Sequence, residues 1–293
     1  MRSPVLLKRY GEIFDQLPAI QPILLNEPLC DYQMVVHPGE KIVESEAANQ
    51  LYGETGNWLS RGRKCLAHNL LNRYPPPPGD CLEIGAGAGF FLELLKSHGS
   101  LDVIEINPVA IAKLKQRTDV VRTVYDIGLP ELETGRRYSL IAGFDVIEHI
   151  KDDYGTLRWI ANHTLPGAII ILTAPAYQWM FSDHDVANRH FRRYTHTSLM
   201  DILPDDEIEP LSVGYFNSTL FPLAILSRLV WMLKKNLYPL PEDRQSIKKQ
   251  SSNVPGGIDK LFYRILQMES RVATSGVRLP FGLSVFCVAR RRP

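Results

Sequence analysis

Short apolar runs alternate with segments in which apolar residues recur at helical spacing between residues 58 and 175. The apolar runs predict strands at 81–84, 101–106, 120–125, 138–144 and 167–173. The helical spacing predicts helices at 58–74, 90–97, 108–117 and 152–163. Strands that are separated by helices favour right-handed crossovers and a parallel sheet. The pattern therefore predicts an α/β fold with a doubly wound sheet.

The pattern changes after Pro175. Residues 176–194 are polar, aromatic and rich in His and Arg, which predicts a loop. The remaining elements are predicted as a helix at 197–202, a strand at 208–216, a polar loop at 239–257, a helix at 258–272 and a strand at 281–290. The chain is thus expected to have three parts: a proline-broken N-terminal extension at 1–57, a domain formed by 58–216 and 279–293, and a helical insert at 217–278.

The insert contains the most apolar stretch of the chain. Residues 220–235 predict a helix that is apolar nearly all round, which implies burial or an apolar partner. A buried helix of a cap is the favoured interpretation. A homodimer contact, a wall for a greasy acceptor and a peripheral membrane contact stay open. Trp231, Lys234 and Lys235 would suit a membrane interface.

Composition narrows the class of protein. The 293 residues include 33 Lys and Arg against 32 Asp and Glu, and this balance excludes a strongly basic nucleic-acid-binding domain. The four cysteines include no CxxC pair, which indicates reduced thiols and no zinc site of the usual spacing. The apolar run near the N-terminus is too short for a secretory signal, and no run of about 18 apolar residues predicts a spanning helix. A cytoplasmic protein is therefore expected.

The strongest chemical feature is the segment Glu83-Ile84-Gly85-Ala86-Gly87-Ala88-Gly89-Phe90, between a predicted strand and a predicted helix. Glycines let the backbone turn sharply and let a ligand approach it closely. The dinucleotide-binding fingerprint G-x-G-x-x-G/A needs a small residue at its last position. That position is Phe90 when the count starts at Gly85 and Leu92 when it starts at Gly87, so neither register fits. The Glu83 carboxylate suits a ligand with an ammonium group and would repel a pyrophosphate.

Two more acidic residues follow the next two predicted strands. Glu105 ends the second strand, where a carboxylate can accept hydrogen bonds from both hydroxyls of a ribose. Asp126 follows the third strand, where it can accept from an exocyclic amine such as that of adenine. Three successive strand ends therefore present an acid to one cleft.

These residues resemble the motifs of the class I S-adenosylmethionine-dependent methyltransferases, over roughly residues 58–216 and the last strand. The segment Phe144-Asp145-Val146-Ile147-Glu148-His149-Ile150 is similar to the branch that contains the ubiquinone-biosynthesis O-methyltransferases. The resemblance implies a Rossmann-like, seven-stranded sheet whose last strand is antiparallel, and S-adenosylmethionine as the cofactor. It implies cofactor contacts from Glu83, Gly85, Gly87, Gly89, Glu105, Ile106, Asp126, Ile127 and Phe144.

The expected reaction is methyl transfer to a small-molecule, lipid or glycan acceptor, at oxygen. The segment after the fifth strand lies at the cleft end of the sheet and is dense in groups that can move protons. His184 is the first candidate for the base, and His149, His190, Asp185 and Tyr194 are further candidates.

The same resemblance leaves a metal and an alternative function to weigh. Asp145-x-x-Glu148-His149 is similar to a motif that binds a divalent ion in some relatives, but many relatives carry Glu-His without metal, so no metal is expected. The alternative function is a cofactor-binding but catalytically silent partner protein. A pyridine-nucleotide oxidoreductase is disfavoured by Glu83 and Phe90.

Overall fold

The computed structural model describes residues 57–237 and 255–293, and of the residues at 231–237 it describes only the backbone. Nearly all of the predicted N-terminal extension and most of the predicted loop at 239–257 lie outside these residues. The side chains of Trp231, Lys234 and Lys235, to which the membrane interpretation refers, lie outside them as well.

Helices and strands alternate from the start of the described chain. The helices are α1 (Trp58–Arg73), α2 (Leu92–Lys96), α3 (Pro108–Leu114), α4 (Asp153–Asn162), α5 (Asp183–Ala187), α6 (His196–Asp201), α7 (Phe221–Leu237) and α8 (Gly256–Thr274). The strands are β1 (Cys81–Ile84), β2 (Leu101–Ile104), β3 (Val121–Tyr125), β4 (Tyr138–Phe144), β5 (Thr164–Pro175), β6 (Ile208–Phe216) and β7 (Ser284–Arg291). Single 3₁₀ turns lie at Ile147–His149 and Gln178–Met180.

The seven strands form one sheet in the order β3-β2-β1-β4-β5-β7-β6. The strands β1 to β5 run parallel, and β7 runs antiparallel to both β5 and β6. The prediction of a doubly wound α/β sheet with an antiparallel last strand is confirmed. Ile84 pairs with both Ile104 and Gly143, so the loops after β1, β2 and β4 leave the sheet side by side.

Apolar layers cover both faces of the sheet, as the nearly continuous apolar strands require. In β5, Ile169 and Ile171 belong to the core layer that also contains residues of α1 and α8. Ile170 and Leu172 point to the opposite face and belong to the layer that contains residues of α4. Alternate residues of one strand thus fill two cores.

Local sequence signals begin the helices. The Asn57 side chain accepts hydrogen bonds from the amides of Leu59 and Ser60 at the start of α1. Asn107 does the same for α3, whose first residue is a proline with the backbone angle that a first turn needs. These caps start α1 and α3 at the residues where the apolar pattern predicts helices to begin.

The expectation of a loop over residues 176–194 is wrong, because this segment contains a 3₁₀ turn and α5. Helix α5 begins with a capping box in which the Ser182 side chain accepts from the amide of Asp185 and the Asp185 side chain accepts from the amide of Ser182. The spacing Ser182-x-x-Asp185 was the signal for it, although the apolar pattern is too weak there to indicate a helix.

The insert also differs from the favoured interpretation. Leu223, Leu226 and Leu229 of α7 are each half exposed or more, so the expectation of a buried helix is wrong for the described part of α7. The other helix of the insert, α8, packs on α1, where Leu266 fills the space beside Gly62. Among the described residues no helix is long and apolar enough to cross a membrane.

Candidate active site

The glycine-rich loop leaves β1 at Gly85, where φ is 69° and a side chain would collide with Val146 in the loop after β4. Gly87 also has a positive φ, 54°, but no described atom lies within 4 Å of the position that a Cβ would take. The loop therefore needs glycine for two reasons. Gly85 permits close packing against the neighbouring loop, and Gly87 borders open space that a ligand can use.

Glu83 lies under this loop with only 2% of its surface exposed. Its Oε2 atom has no hydrogen-bond partner within the described ranges. Burial is the main cause that raises the pKa of Glu83 to about 8, the nearby Glu105 raises it further, and Lys64 opposes the rise. A buried carboxyl group with a free oxygen is costly unless a partner arrives, so Glu83 is suited to a cationic group.

Glu105 is held differently from what its sequence position alone indicates. Its carboxylate accepts hydrogen bonds from the amides of Gly87 at 2.7 Å, Ile106 at 2.9 Å and Asn107 at 2.8 Å. A carboxylate has about four acceptor sites, so roughly one is left for a ligand. Glu105 thus shapes the glycine-rich loop besides facing the cleft.

The other predicted cofactor contacts lie around the same sheet end. Ile106 and Ile127 follow neighbouring strands and are 42% and 52% exposed, so both offer apolar surface at the edge of the cleft. Asp126, which directly precedes Ile127, is also exposed. Phe144, at the end of β4, stacks on Phe91 with the ring centroids 3.9 Å apart. The structure therefore brings the predicted cofactor residues to the carboxyl ends of β1 to β4.

Beyond Phe144 the chain turns sharply. Asp145 has a φ of 53°, forms an ion pair with Arg63 of α1, and accepts a hydrogen bond from the Thr173 hydroxyl at 2.9 Å. No sequence pattern connects Arg63 with this turn, because α1 precedes the turn by a long stretch of chain. Glu148 in the following 3₁₀ turn is buried, and burial and the Asp145 charge hold the pKa of its carboxyl well above the usual range.

Two of the three candidate histidines lie together. The rings of His149 and His190 meet edge to face with their centroids 4.6 Å apart. A backbone hydrogen bond from the amide of Phe191 to the carbonyl of Glu148, 2.7 Å long, joins the two segments. Although part of His149 reaches solvent, the surrounding protein and His190 lower its pKa to about 4. The two imidazoles form what we call the histidine pair.

Asp185 anchors the histidine pair from behind. It is fully buried, and its Oδ1 lies 2.9 Å from Nδ1 of His190. Arg193 donates to both carboxylate oxygens, at 2.7 and 2.9 Å. Burial opposes ionisation of Asp185, but hydrogen bonds from His190 and Arg193 outweigh it and hold the pKa well below the usual range. Sequence reasoning did not foresee this role of Arg193.

His184, the first candidate for the base, is not part of this group. It is exposed on α5, and its Nε2 atom lies 2.9 Å from the side-chain nitrogen of Asn188. Asp185, the next residue, points to the opposite side of the short helix and into the protein. The geometry therefore favours His149 and His190 over His184 as residues that meet an acceptor.

With this geometry in place, a family model described as a methyltransferase domain matches residues 59–207, just over half of the chain. The chain belongs to this methyltransferase family. It is a class I methyltransferase, and its cofactor is S-adenosylmethionine, as the glycine-rich loop and the acids of the cleft indicated.

Individual relatives agree with this assignment. The chain is 31% identical over 187 residues to a malonyl-(acyl-carrier protein) O-methyltransferase of Anoxybacillus flavithermus, an alignment that spans 60% of this chain and 66% of the relative, slightly less than two thirds. Two solved structures share the fold. They are the plantazolicin methyltransferase BpumL in complex with SAH (TM-score 0.53, 10% identity, 86% of this chain and 92% of that one) and a methyltransferase in complex with the Haloferax volcanii activator Trm112 (TM-score 0.51, 12% identity, 85% and 95%).

Proposed function

We propose that this methyltransferase acts on an oxygen atom of a small-molecule, lipid or glycan acceptor, and that the acceptor binds against the histidine pair. The observation that carries the proposal is the pair itself, in which His149 from the turn after β4 meets His190 from the segment after β5, and His190 is anchored by the buried Asp185. The Anoxybacillus relative is named for transfer to oxygen, which supports the same type of acceptor atom here. The exposed leucines of α7, Leu223, Leu226 and Leu229, support an acceptor with an apolar part.

We infer that the cofactor lies over the glycine-rich loop. The residues fit it: Glu83 offers a buried, unpaired carboxylate oxygen within the described chain for the ammonium group, and the space beside Gly87 leaves room for the ligand. Glu105 has roughly one acceptor site left for the ribose. Asp126, exposed after the third strand, would accept a hydrogen bond from the adenine amine. Gly85, Gly89, Ile106, Ile127 and Phe144 would form the walls.

The cofactor supplies an electrophilic methyl group on a sulfonium sulfur, which keeps the bonding electron pair when the methyl group leaves. The protein must hold the acceptor oxygen in line with that group, and such positioning can lower a barrier by about 7–11 kcal/mol. A hydroxyl acceptor must also lose its proton, and help with this step adds a factor of about 10²–10⁴. Asp185 takes the Nδ1–H of His190, which leaves Nε2 of His190 directed away from Asp185 as a basic nitrogen. The pair can accept the proton or hold a cation that polarises the hydroxyl.

Labelled methyl transfer to fractionated cell extract tests the proposal, after calorimetry has shown that S-adenosylhomocysteine binds. We expect product in which the label is bound to oxygen. We expect His190→Gln to lower turnover about 10²-fold or more while cofactor affinity changes little, and His184→Gln to have a much smaller effect. The proposal is wrong if turnover depends on His184 and not on the pair, or if the label is found on nitrogen or carbon. Cofactor binding without transfer to any fraction would favour the silent partner protein.

A further inference from the structure

We propose that Glu148, His149 and His190 bind a divalent first-row transition metal ion such as Zn²⁺. One ligand atom of each residue lies within 4.8 Å of the ligand atoms of the other two. The sequence motif contains Asp145, Glu148 and His149 but not His190, and no metal was expected because many relatives carry Glu-His without one. The third ligand comes from the segment after β5, which the fold brings to the turn after β4.

Glu148 is the residue that most needs a cation. It is only 1% exposed, and its Oε2 atom has no hydrogen-bond partner in the described part of the chain. The two nearby guanidinium groups form their ion pairs with other carboxylates, Arg63 with Asp145 and Arg193 with Asp185, although Nε of Arg63 has no partner among the described residues. A buried carboxylate oxygen without a partner is costly, and a bound metal ion would remove that cost.

The ring of His190 is oriented as metal-bound histidines usually are. Its Nδ1 atom donates to the carboxylate of Asp185 at 2.9 Å. This bond leaves Nε2 of His190 as the nitrogen that can bind an ion. Metal-bound histidines almost always have such a carboxylate or carbonyl partner, which fixes the tautomer and raises the basicity of the ligand.

The donor set also indicates the class of metal. Two imidazoles and one carboxylate suit Zn²⁺, Fe²⁺ or Co²⁺, whereas Mg²⁺ and Ca²⁺ prefer oxygen ligands. Ligand atoms about 2.0–2.2 Å from one ion lie roughly 3–4 Å from each other. The ligand atoms of the three side chains lie within 4.8 Å of one another, so small side-chain rotations would bring them to that distance. His149 is exposed, which provides a route for the ion and leaves an open coordination position on the solvent side.

Calorimetry of the chelator-treated full chain with ZnCl₂ and CoCl₂, without cofactor or acceptor, tests the inference. We expect one ion per chain. In the Co²⁺ form we expect visible absorption bands that one equivalent of Zn²⁺ removes. Asp185→Asn should weaken binding by about 10–100-fold, and Glu148→Gln and His190→Gln by at least as much. His184→Gln is the matched control, in the same segment, and should bind as the wild type does.

Three results would overturn the inference: no binding by the wild type, no ligand-field bands with Co²⁺, or equal binding by the wild type and folded Glu148→Gln and His190→Gln variants. The wild-type measurements decide the matter even if a variant fails to fold. The inference rests on the proposed function only for the role of the ion in catalysis. Metal binding without transfer to oxygen would refute the proposed function alone, and transfer by a protein that binds no metal would refute the metal site alone.

Discussion

Glu83 provides a quantitative prediction about how the cofactor site titrates. In the unligated protein its pKa is about 8, against an ordinary value of 4.5, so the carboxyl group is about nine tenths protonated at pH 7 and half protonated at pH 8. A ligand ammonium group beside Glu83 favours the ionised form. Binding of S-adenosylhomocysteine should therefore release about 0.9 proton at pH 7 and about 0.5 at pH 8. Calorimetry in buffers with different ionisation enthalpies measures this release directly.

The same carboxyl group affects stability without ligand. Between pH 4.5 and 8 the native protein keeps a proton that the unfolded chain has lost, so its free energy of unfolding should fall as the pH rises through this window, by up to about 1.4 kcal/mol per pH unit. Glu83→Gln should remove both this slope and the proton release, and should weaken ligand binding. Binding heats that do not depend on the buffer at pH 7, or a proton release that persists in Glu83→Gln, would refute the assignment.

Three further predictions concern other parts of the domain. Gly87→Ala and Gly167→Ala both place a Cβ at a positive φ with no described atom within 4 Å. Each should therefore lower the free energy of unfolding by about 1–2 kcal/mol, as measured by thermal unfolding. Only Gly87→Ala should weaken S-adenosylhomocysteine binding. Equal affinities would show that Gly87 does not face the ligand. Arg122→Leu removes two guanidinium hydrogen bonds from the fully buried Asp102, which keeps the Tyr138 hydroxyl at 3.1 Å and Arg136 at 3.8 Å. It should cost about 1–3 kcal/mol in urea unfolding, whereas no measurable loss would mean that solvent or Arg136 replaces the arginine. If the exposed leucines of α7 (Leu223, Leu226 and Leu229) contact membranes, Leu226→Glu should reduce binding to vesicles of phosphatidylcholine and phosphatidylserine. Absence of vesicle binding by the wild type would exclude the contact.

Several features of the molecule follow from short stretches of sequence. The strands and the helices that cover them have apolar periods of their own, so the parallel part of the sheet can be predicted from the alternation of the two patterns. The glycine-rich loop and the acids at 83, 105 and 126 stand at the ends of those strands, and in a parallel sheet these ends meet at one edge. The type of fold and the place of the cofactor cleft were therefore available from residues that are close together in the chain.

The tertiary structure decided which residues meet across long separations. It joined His190 to Glu148 and His149 through the backbone bond of Phe191, engaged Arg63 with Asp145, and left His184 outside the group. It also left the apolar side of α7 exposed, where the composition of the helix alone favoured burial. Periodicity reports which side of an element is apolar, but it holds no information on which distant segment packs there. That depends on the packing of the whole domain.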